Sequence, residues 1–225
     1  MNSIIEARGV NKIYQLSDTK LQVLKNVSLN VDKGEFLSIM GPSGSGKSTL
    51  LYLLSGLDKA SNGIILINGA EITKLDDEAE SKLRRNNIGF VFQSYNLIDN
   101  LTLEENILLP ALLEGKNRKK IMKKAEGLMD MVGILHRRSH TPRELSGGEQ
   151  QRTAIARALI NDPDILFADE PIGNLDSKTG TEILKLLKKV NEEKKITILM
   201  VTHSEESKKF GTRTIRLKDG EIAEN

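Results

Sequence analysis
The chain contains no cysteine, which excludes disulfides, thiolate zinc sites and cysteine nucleophiles but leaves metal binding by hydroxyl and carboxylate oxygens open. It also lacks long hydrophobic runs. Its longest apolar stretches, such as Ile64–Ile67 and Ile196–Val201, fall far short of the roughly 18 residues that cross a bilayer. The N-terminus shows no charged-then-apolar export signal, so the expectation is a soluble, cytoplasmic chain with no bilayer span of its own. Neither sign of charge dominates: 33 basic residues face 31 acidic ones, and the strongly basic face that marks a nucleic-acid partner is missing. The one dense basic run, Lys116–Lys124, reads as a solvated helix face, with lipid headgroups or an acidic partner as the sharper alternative. Repeats, low-complexity tracts and long linkers are absent as well. What remains is 225 residues with 38% hydrophobic content, ample for one large globular domain or a domain carrying a smaller subdomain.

The opening third has the alternation and turn chemistry of strands at Ile4–Gly9, Val23–Val31 and Glu35–Met40, with Asp32-Lys33-Gly34 as a turn. From Glu35 the pattern becomes a buried strand, a glycine loop, an apolar helix over Lys47–Leu57 and a short strand pair around Gly63–Ile72. The middle is mostly helical in pattern, at Asp77–Asn86, Leu103–Leu113, Arg118–Val132 and again after Ser146. Strand-like Ile88–Gln93 interrupts it. Short apolar strands at Asp164–Asp169, Ile196–Thr202 and Thr214–Leu217 then alternate with helix-like Ser177–Lys194 and Ser204–Phe210, as in a parallel sheet with crossover helices. The expected fold is α/β: a core with a parallel sheet, which the glycine loop Gly41–Thr49 makes similar to P-loop NTPases, an N-terminal antiparallel β lobe and an inserted α-helical subdomain. Residues 1–93 and 160–225 form the lobe and core, and 94–159 the insert.

The glycine loop carries the chemistry. In Gly41-Pro42-Ser43-Gly44-Ser45-Gly46-Lys47-Ser48-Thr49 the glycines remove side chains where the backbone must wrap around phosphate oxygens, so that N–H groups and the following helix N-terminus face the negative charge. Lys47 would reach the β and γ phosphates, the Ser48 hydroxyl would ligate Mg²⁺, and Thr49 would support the α-phosphate side. In Ile165-Leu166-Phe167-Ala168-Asp169-Glu170, apolar residues bury a strand and two carboxylates emerge at its end. Asp169 would hold Mg²⁺ and Glu170 would orient and polarise the attacking water as general base. His203 follows Ile196–Val201 at the carboxyl end of a strand, where open α/β sheets bind ligands. His136 and His140 have no such context and read as loop residues.

Leu145-Ser146-Gly147-Gly148-Glu149-Gln150-Gln151-Arg152, added to these elements, resembles the signature of ATP-binding cassette (ABC) ATPases. In that family a second copy presents the run to the first copy's ATP. Ser146, Gly147 and Gly148 open a helix whose capped, dipole-positive end is itself an anion site. One chain does not need two γ-phosphate cradles unless two chains share two ATP molecules head to tail. The resemblance implies further roles: Gln93, at a Q-loop, reaches Mg²⁺ and the attacking water while the residues after it touch a membrane partner. His203 is the switch histidine on the γ-phosphate, and Tyr14 stacks on adenine. Asp176, in the D-loop run Gly173-Asn174-Leu175-Asp176, crosses the dimer interface and also suits a helix N-cap.

The combination Gly-Phe-Val-Phe-Gln, Leu-Ser-Gly-Gly and Ala-Asp-Glu-Pro-x-Gly-Asn-Leu-Asp is most similar to the bacterial group serving lipoprotein release, macrolide export and antimicrobial-peptide resistance. That group usually carries threonine where Ile172 stands and often glutamine where Glu149 stands; the first change removes an expected polar contact near the D-loop, and the second is expected to matter little. The resemblance implies an ATPase subunit that moves a separate integral membrane permease from the inner face of the cell membrane. Soluble ABC ATPases of DNA repair, chromosome organisation or translation are the other class. They carry coiled-coil or metal-binding insertions, or two cassettes in one chain, and none is present. A non-catalytic regulatory cassette would have lost Glu170 or His203.

Overall fold
A computed structural model describes residues 3–17 and 19–223. Among the described residues, ten strands form two sheets, and six α-helices accompany them. Strands β1 (Ser3–Leu16) and β2 (Thr19–Asp32) form a long antiparallel hairpin. It runs well past the Ile4–Gly9 and Val23–Val31 expected. Gly9 turns left-handed at φ +59°, and the register shifts between Ala7 and Val10. A bulge thus absorbs the irregularity and the strand continues. After β3 (Phe36–Met40) and α1 (Lys47–Leu54), β4 (Asn62–Ile67) pairs antiparallel with β1, and β5 (Ala70–Glu71) pairs with β4. Helix α1 stops before the expected Leu57 because Gly56 enters the left-handed region at φ +67°, a common helix stop.

Then follow α2 (Asp77–Asn87), β6 (Ile88–Val91), α3 (Leu103–Leu113), α4 (Arg118–Met131), α5 (Gly147–Leu159), β7 (Ile165–Asp169), α6 (Ser177–Lys194), β8 (Thr197–Val201), β9 (Arg213–Lys218) and β10 (Glu221–Ala223). Caps set the starts: Asp76, Thr102, Asn117, Ser146 and Asp176 each accept a backbone N–H of the following first turn. The second sheet runs β10-β9-β3-β8-β7-β6, parallel throughout except for the antiparallel β10. The expected helix at Ser204–Phe210 is only a 3₁₀ turn over Ser207–Phe210. The Thr202 hydroxyl accepts from Ser204 N–H, and the Ser204 hydroxyl from Ser207 N–H. Such local bonds compete with helix formation.

Every residue of β3, β7 and β8 is buried, and alternate side chains serve opposite layers. Leu37, Ile39, Ile165, Phe167, Leu199 and Val201 pack with α1 and the β1–β2–β4 lobe. On the other face Leu166, Ala168, Ile198 and Met200 pack with α3 to α6. This rigid three-layer base holds the loops at the carboxyl ends of β3, β6, β7 and β8, where all the catalytic candidates lie.

Candidate nucleotide site
The glycine loop leaves β3 and enters α1. Gly44 and Gly46 lie at φ +79° and +97°, and a Cβ on Gly46 would come within 2.9 Å of Leu24 Cδ2. Only glycine allows this curl. Lys47 is 7% exposed and donates to the Pro42 carbonyl at 2.8 Å, which keeps the ammonium over the loop's concave side. Ser45 N–H donates to the same carbonyl at 3.3 Å.

Asp169, at the end of β7, is buried and accepts two hydroxyls: Ser48 Oγ at 2.9 Å on Oδ1 and Tyr52 Oη at 2.8 Å on Oδ2. Burial and then the Asp169 bond push the Tyr52 hydroxyl up to about 12, so it is a proton donor at neutral pH. In the sequence Tyr52 lies within an apolar helical run that hides this role. The available signal was spacing: Ser48 and Tyr52 stand one helical turn apart and share a face of α1.

Glu170 follows with φ +43°, a strained conformation for a non-glycine residue and one that gathers at functional sites. Its N–H donates to Val201 O at 3.1 Å, and its Oε2 lies 3.3 Å from Nδ1 of His203, which is 67% exposed. The carboxylate and imidazole thus meet at the rim formed by the ends of β7 and β8. Gln93 leaves β6 and pairs reciprocally with the loop after Glu170: its Nε2 donates to Asn174 Oδ1 at 3.4 Å, and Asn174 Nδ2 donates to Gln93 O at 3.1 Å. Asp176 caps α6 through the N–H groups of Lys178 and Thr179. Bonds from Thr179 and then Lys178 hold its carboxyl below the usual range.

Tyr14 stands at the other end of the loop. Its hydroxyl donates to Asp58 Oδ2 at 2.8 Å, and the Lys12 ammonium, itself 2.6 Å from Asp58 Oδ1, lies 4.6 Å from the ring centroid. Burial and the Asp58 bond raise the Tyr14 hydroxyl, while Thr49 pulls it the other way. The ring is anchored beside the start of α1.

The signature opens α5 at a distance from this cluster. Ser146 caps it, and Glu149 closes a capping box by accepting from Ser146 N–H at 2.9 Å and from its hydroxyl at 2.8 Å. Arg137 Nε lies 3.0 Å from the other Glu149 oxygen. The bond from Ser146 N–H, then the Ser146 hydroxyl and Arg137, outweighs burial and holds the Glu149 carboxyl below its ordinary range. Glu149 thereby takes the acidic place of the capping box that starts α5. A Cβ on Gly147 would come 2.8 Å from Tyr95 Oη, and one on Gly148 2.5 Å from Thr179 Cγ2; Gln151 Nε2 donates to Pro171 O at 2.6 Å. The signature is thus wedged behind the loops of Gln93 and Asp176. Among the described residues no hydrogen bond or ion pair joins Ser146, Gly147 or Gly148 to residues 41–49. Ile172, in place of the usual threonine, packs on the apolar cluster beside Gly180, so burial replaces the polar contact.

Residues 24–173 match the model of the ABC transporter family. The chain is 42% identical to the lipoprotein-releasing system ATP-binding protein LolD of Geobacter metallireducens, over 99% of both chains. It is 46% identical to the bacitracin export ATP-binding protein BceA of Halalkalibacterium halodurans, over 98% of this chain and 87% of that one. It also superposes with a TM-score of 0.91 and 46% identity on a dimeric cassette, MJ0796 of Methanocaldococcus jannaschii, solved in a post-hydrolysis state with ADP and Pi, covering 98% of this chain and 97% of that one. A phosphate loop on a buried parallel sheet, a strand-end carboxylate pair and a separately capped signature helix, together with these likenesses, establish that the chain belongs to the ABC transporter family as an ATP-binding, ATP-hydrolysing cassette.

Proposed function
We propose that the chain pairs head to tail with a second copy, closes on two shared ATP molecules, and through closing and reopening drives a separate integral membrane permease from the inner face of the membrane, in export or mechanical work at the cell envelope. The observation that carries this is the split site. Lys47, Ser48, Asp169, Glu170 and His203 share one rim, while the start of the signature helix packs against the Gln93 and Asp176 loops and, among the described residues, makes no hydrogen bond or ion pair with the phosphate loop of its own chain. A second cradle supplied by a symmetric partner completes it.

In this reading Gly41, Pro42, Ser43, Gly44, Ser45, Gly46 and Lys47 wrap the β and γ phosphates. Thr49 supports the α-phosphate, Tyr14 stacks on adenine, and Ser146, Gly147 and Gly148 meet the partner's γ-phosphate. The donor set fits Mg²⁺. Asp169 is a buried carboxylate with hydroxyl partners and no cation within ion-pair distance among the described residues, and an uncompensated buried anion is costly unless a cation arrives. Ser48 and Asp169 supply hard oxygens of the kind Mg²⁺ prefers, with Gln93 as the further ligand. The bound ion would neutralise charge on the phosphates. Glu170 accepts a proton from the attacking water, His203 holds that water and the γ-phosphate, and Asp176 crosses to the partner.

Residues 94–159 serve as the helical arm, and residues 1–93 and 160–225 as the lobe and core. The permease reading is supported by a cavity of about 320 Å³ beside the Gln93 loop, lined among others by Arg84, Arg85, Phe92, Asn96, Pro110 and Arg157. Arg157, whose charge burial disfavours, donates to the Tyr95 and Asn96 carbonyls. Motion of that loop would thereby reach whatever fills the cavity. No helix among the described residues is long and apolar enough to cross a membrane, so a membrane partner would supply the span.

The test is Glu170→Gln. Mg²⁺-dependent ATP turnover falls on the order of a thousandfold while ATP binding persists, and size-exclusion chromatography with ATP shows a trapped dimer. Unchanged turnover would contradict the mechanism, and a monomer at saturating ATP would contradict the pairing.

A further inference from the structure
We infer that Tyr52 is a positioning residue for the metal carboxylate, an inference that rests on the ATP- and Mg²⁺-binding reading above. Asp169 has two carboxylate oxygens and two jobs: one oxygen must face the metal side of the phosphate loop, and the buried carboxylate must not rotate. Ser48 Oγ meets Oδ1 at 2.9 Å, and Tyr52 Oη holds Oδ2 at 2.8 Å. The two hydroxyls come from one face of α1, so a single helix fixes both ends of the carboxylate. Only Ser48 belongs to the phosphate loop; Tyr52 lies outside it.

The Tyr52 ring is itself held in place. It packs against Phe90 with centroids 5.8 Å apart, and Phe90 stacks on Phe92 at 4.2 Å and on Phe167 at 6.1 Å. Phe167 lies on β7 two residues before Asp169, and Phe92 immediately precedes Gln93. The hydroxyl is therefore registered against the two strands that deliver Asp169 and Gln93. A group that orients a metal ligand without touching the metal typically changes metal affinity by on the order of tenfold or more when removed. With its second oxygen released, Asp169 can swing, and Ser48 loses the fixed acceptor that shapes the metal side of the loop.

The experiment compares Tyr52→Phe with the parent, both carrying Glu170→Gln so that ATP persists. Free Mn²⁺, followed by electron paramagnetic resonance in the presence of saturating ATP, reports metal affinity. ATP affinity in excess chelator reports the phosphate loop without metal. Tyr52→Phe keeps the ring and its packing, so far-UV circular dichroism should match the parent, while the melt falls by several degrees for the lost bond to a buried carboxylate. The expected result is Mn²⁺ affinity weakened on the order of tenfold with metal-free ATP affinity unchanged. Equal Mn²⁺ affinity in the two proteins overturns the inference, and so does a parallel loss of metal-free ATP binding, which would mark Tyr52 as general scaffold. If the parent itself takes up no Mn²⁺ with ATP, the functional reading fails instead.

Discussion
The rim at the ends of β3, β7 and β8 and the start of α5 are the two regions to which the proposed function gives phosphate, yet their surroundings differ. At the rim, side chains from distant parts of the sequence converge: Ser48 and Tyr52 on Asp169, and His203 on Glu170. At the signature the bonds are local or structural: Ser146 with Glu149, Glu149 with Arg137, and Gln151 with the Pro171 carbonyl. The first region is organised to do chemistry with what its own chain supplies. The second is a capped helix start packed against Tyr95, Leu175 and Thr179, and in the proposed reading its ligand comes from the partner. That difference is what the proposed pairing of two copies rests on.

The most severe way to break the comparison is Ser146→Arg, which fills the signature's anion-binding end. Hydrolysis falls by at least on the order of a hundredfold, as when a preorganised donor to a developing charge is removed. ATP affinity of the isolated chain stays at the wild-type value when measured with a fluorescent ATP analogue, because the rim is untouched. Loss of that binding would show the two regions to be one site.

A smaller lesion joins them. A Cβ on Gly173 would lie 2.5 Å from Gln93 Nε2, so Gly173→Ala pushes the glutamine from its bond with Asn174. Turnover drops on the order of tenfold or more, since small misplacements of catalytic groups are costly, while ATP affinity measured without metal is preserved. Wild-type turnover in Gly173→Ala would remove Gln93 from the chemistry.

The smallest effect is on pH dependence. The folded Glu149 carboxyl lies below its ordinary value, so its contribution is fully present above about pH 4.3 and is lost as pH falls through the lowered folded value. Wild type should therefore exceed Glu149→Gln in urea stability at pH 6 by about 0.5 kcal/mol, the scale of a partly exposed ion pair. The gap should narrow as pH falls from there through the lowered folded value. A gap that is constant across this range, followed by circular dichroism, contradicts the assignment to Glu149's charge.

Much of this was legible in the sequence because the strongest signals are local. The helices Leu103–Leu113 and Ser177–Lys194 emerge with the expected bounds, since an N-cap and an apolar period specify both. The phosphate loop and the carboxylate pair were readable for the same reason: glycines, a lysine and strand-end acids carry their chemistry in consecutive residues. What escaped depends on contacts between distant segments. The hairpin extends to Leu16 because β2 pairs with β1 as far as Leu16↔Thr19, while β4 flanks β1 only up to Asn11, pairings absent from any window around Gly9. Tyr52 looked apolar because Asp169, its partner, lies 117 residues away. The turn after His203 has helical periodicity in the sequence, but serine and threonine hydroxyls that bond to their own backbone hold it as a turn.

The claim that each site is shared between two chains is tested most directly by mixing two inactive variants before ATP is added. Ser146→Arg keeps an intact rim and Glu170→Gln keeps an intact signature, so a head-to-tail heterodimer contains one site with both lesions and one with neither. Random pairing predicts recovery of up to about a quarter of wild-type turnover in the mixture, with each variant inactive alone. A mixture as inactive as its components would contradict the shared site.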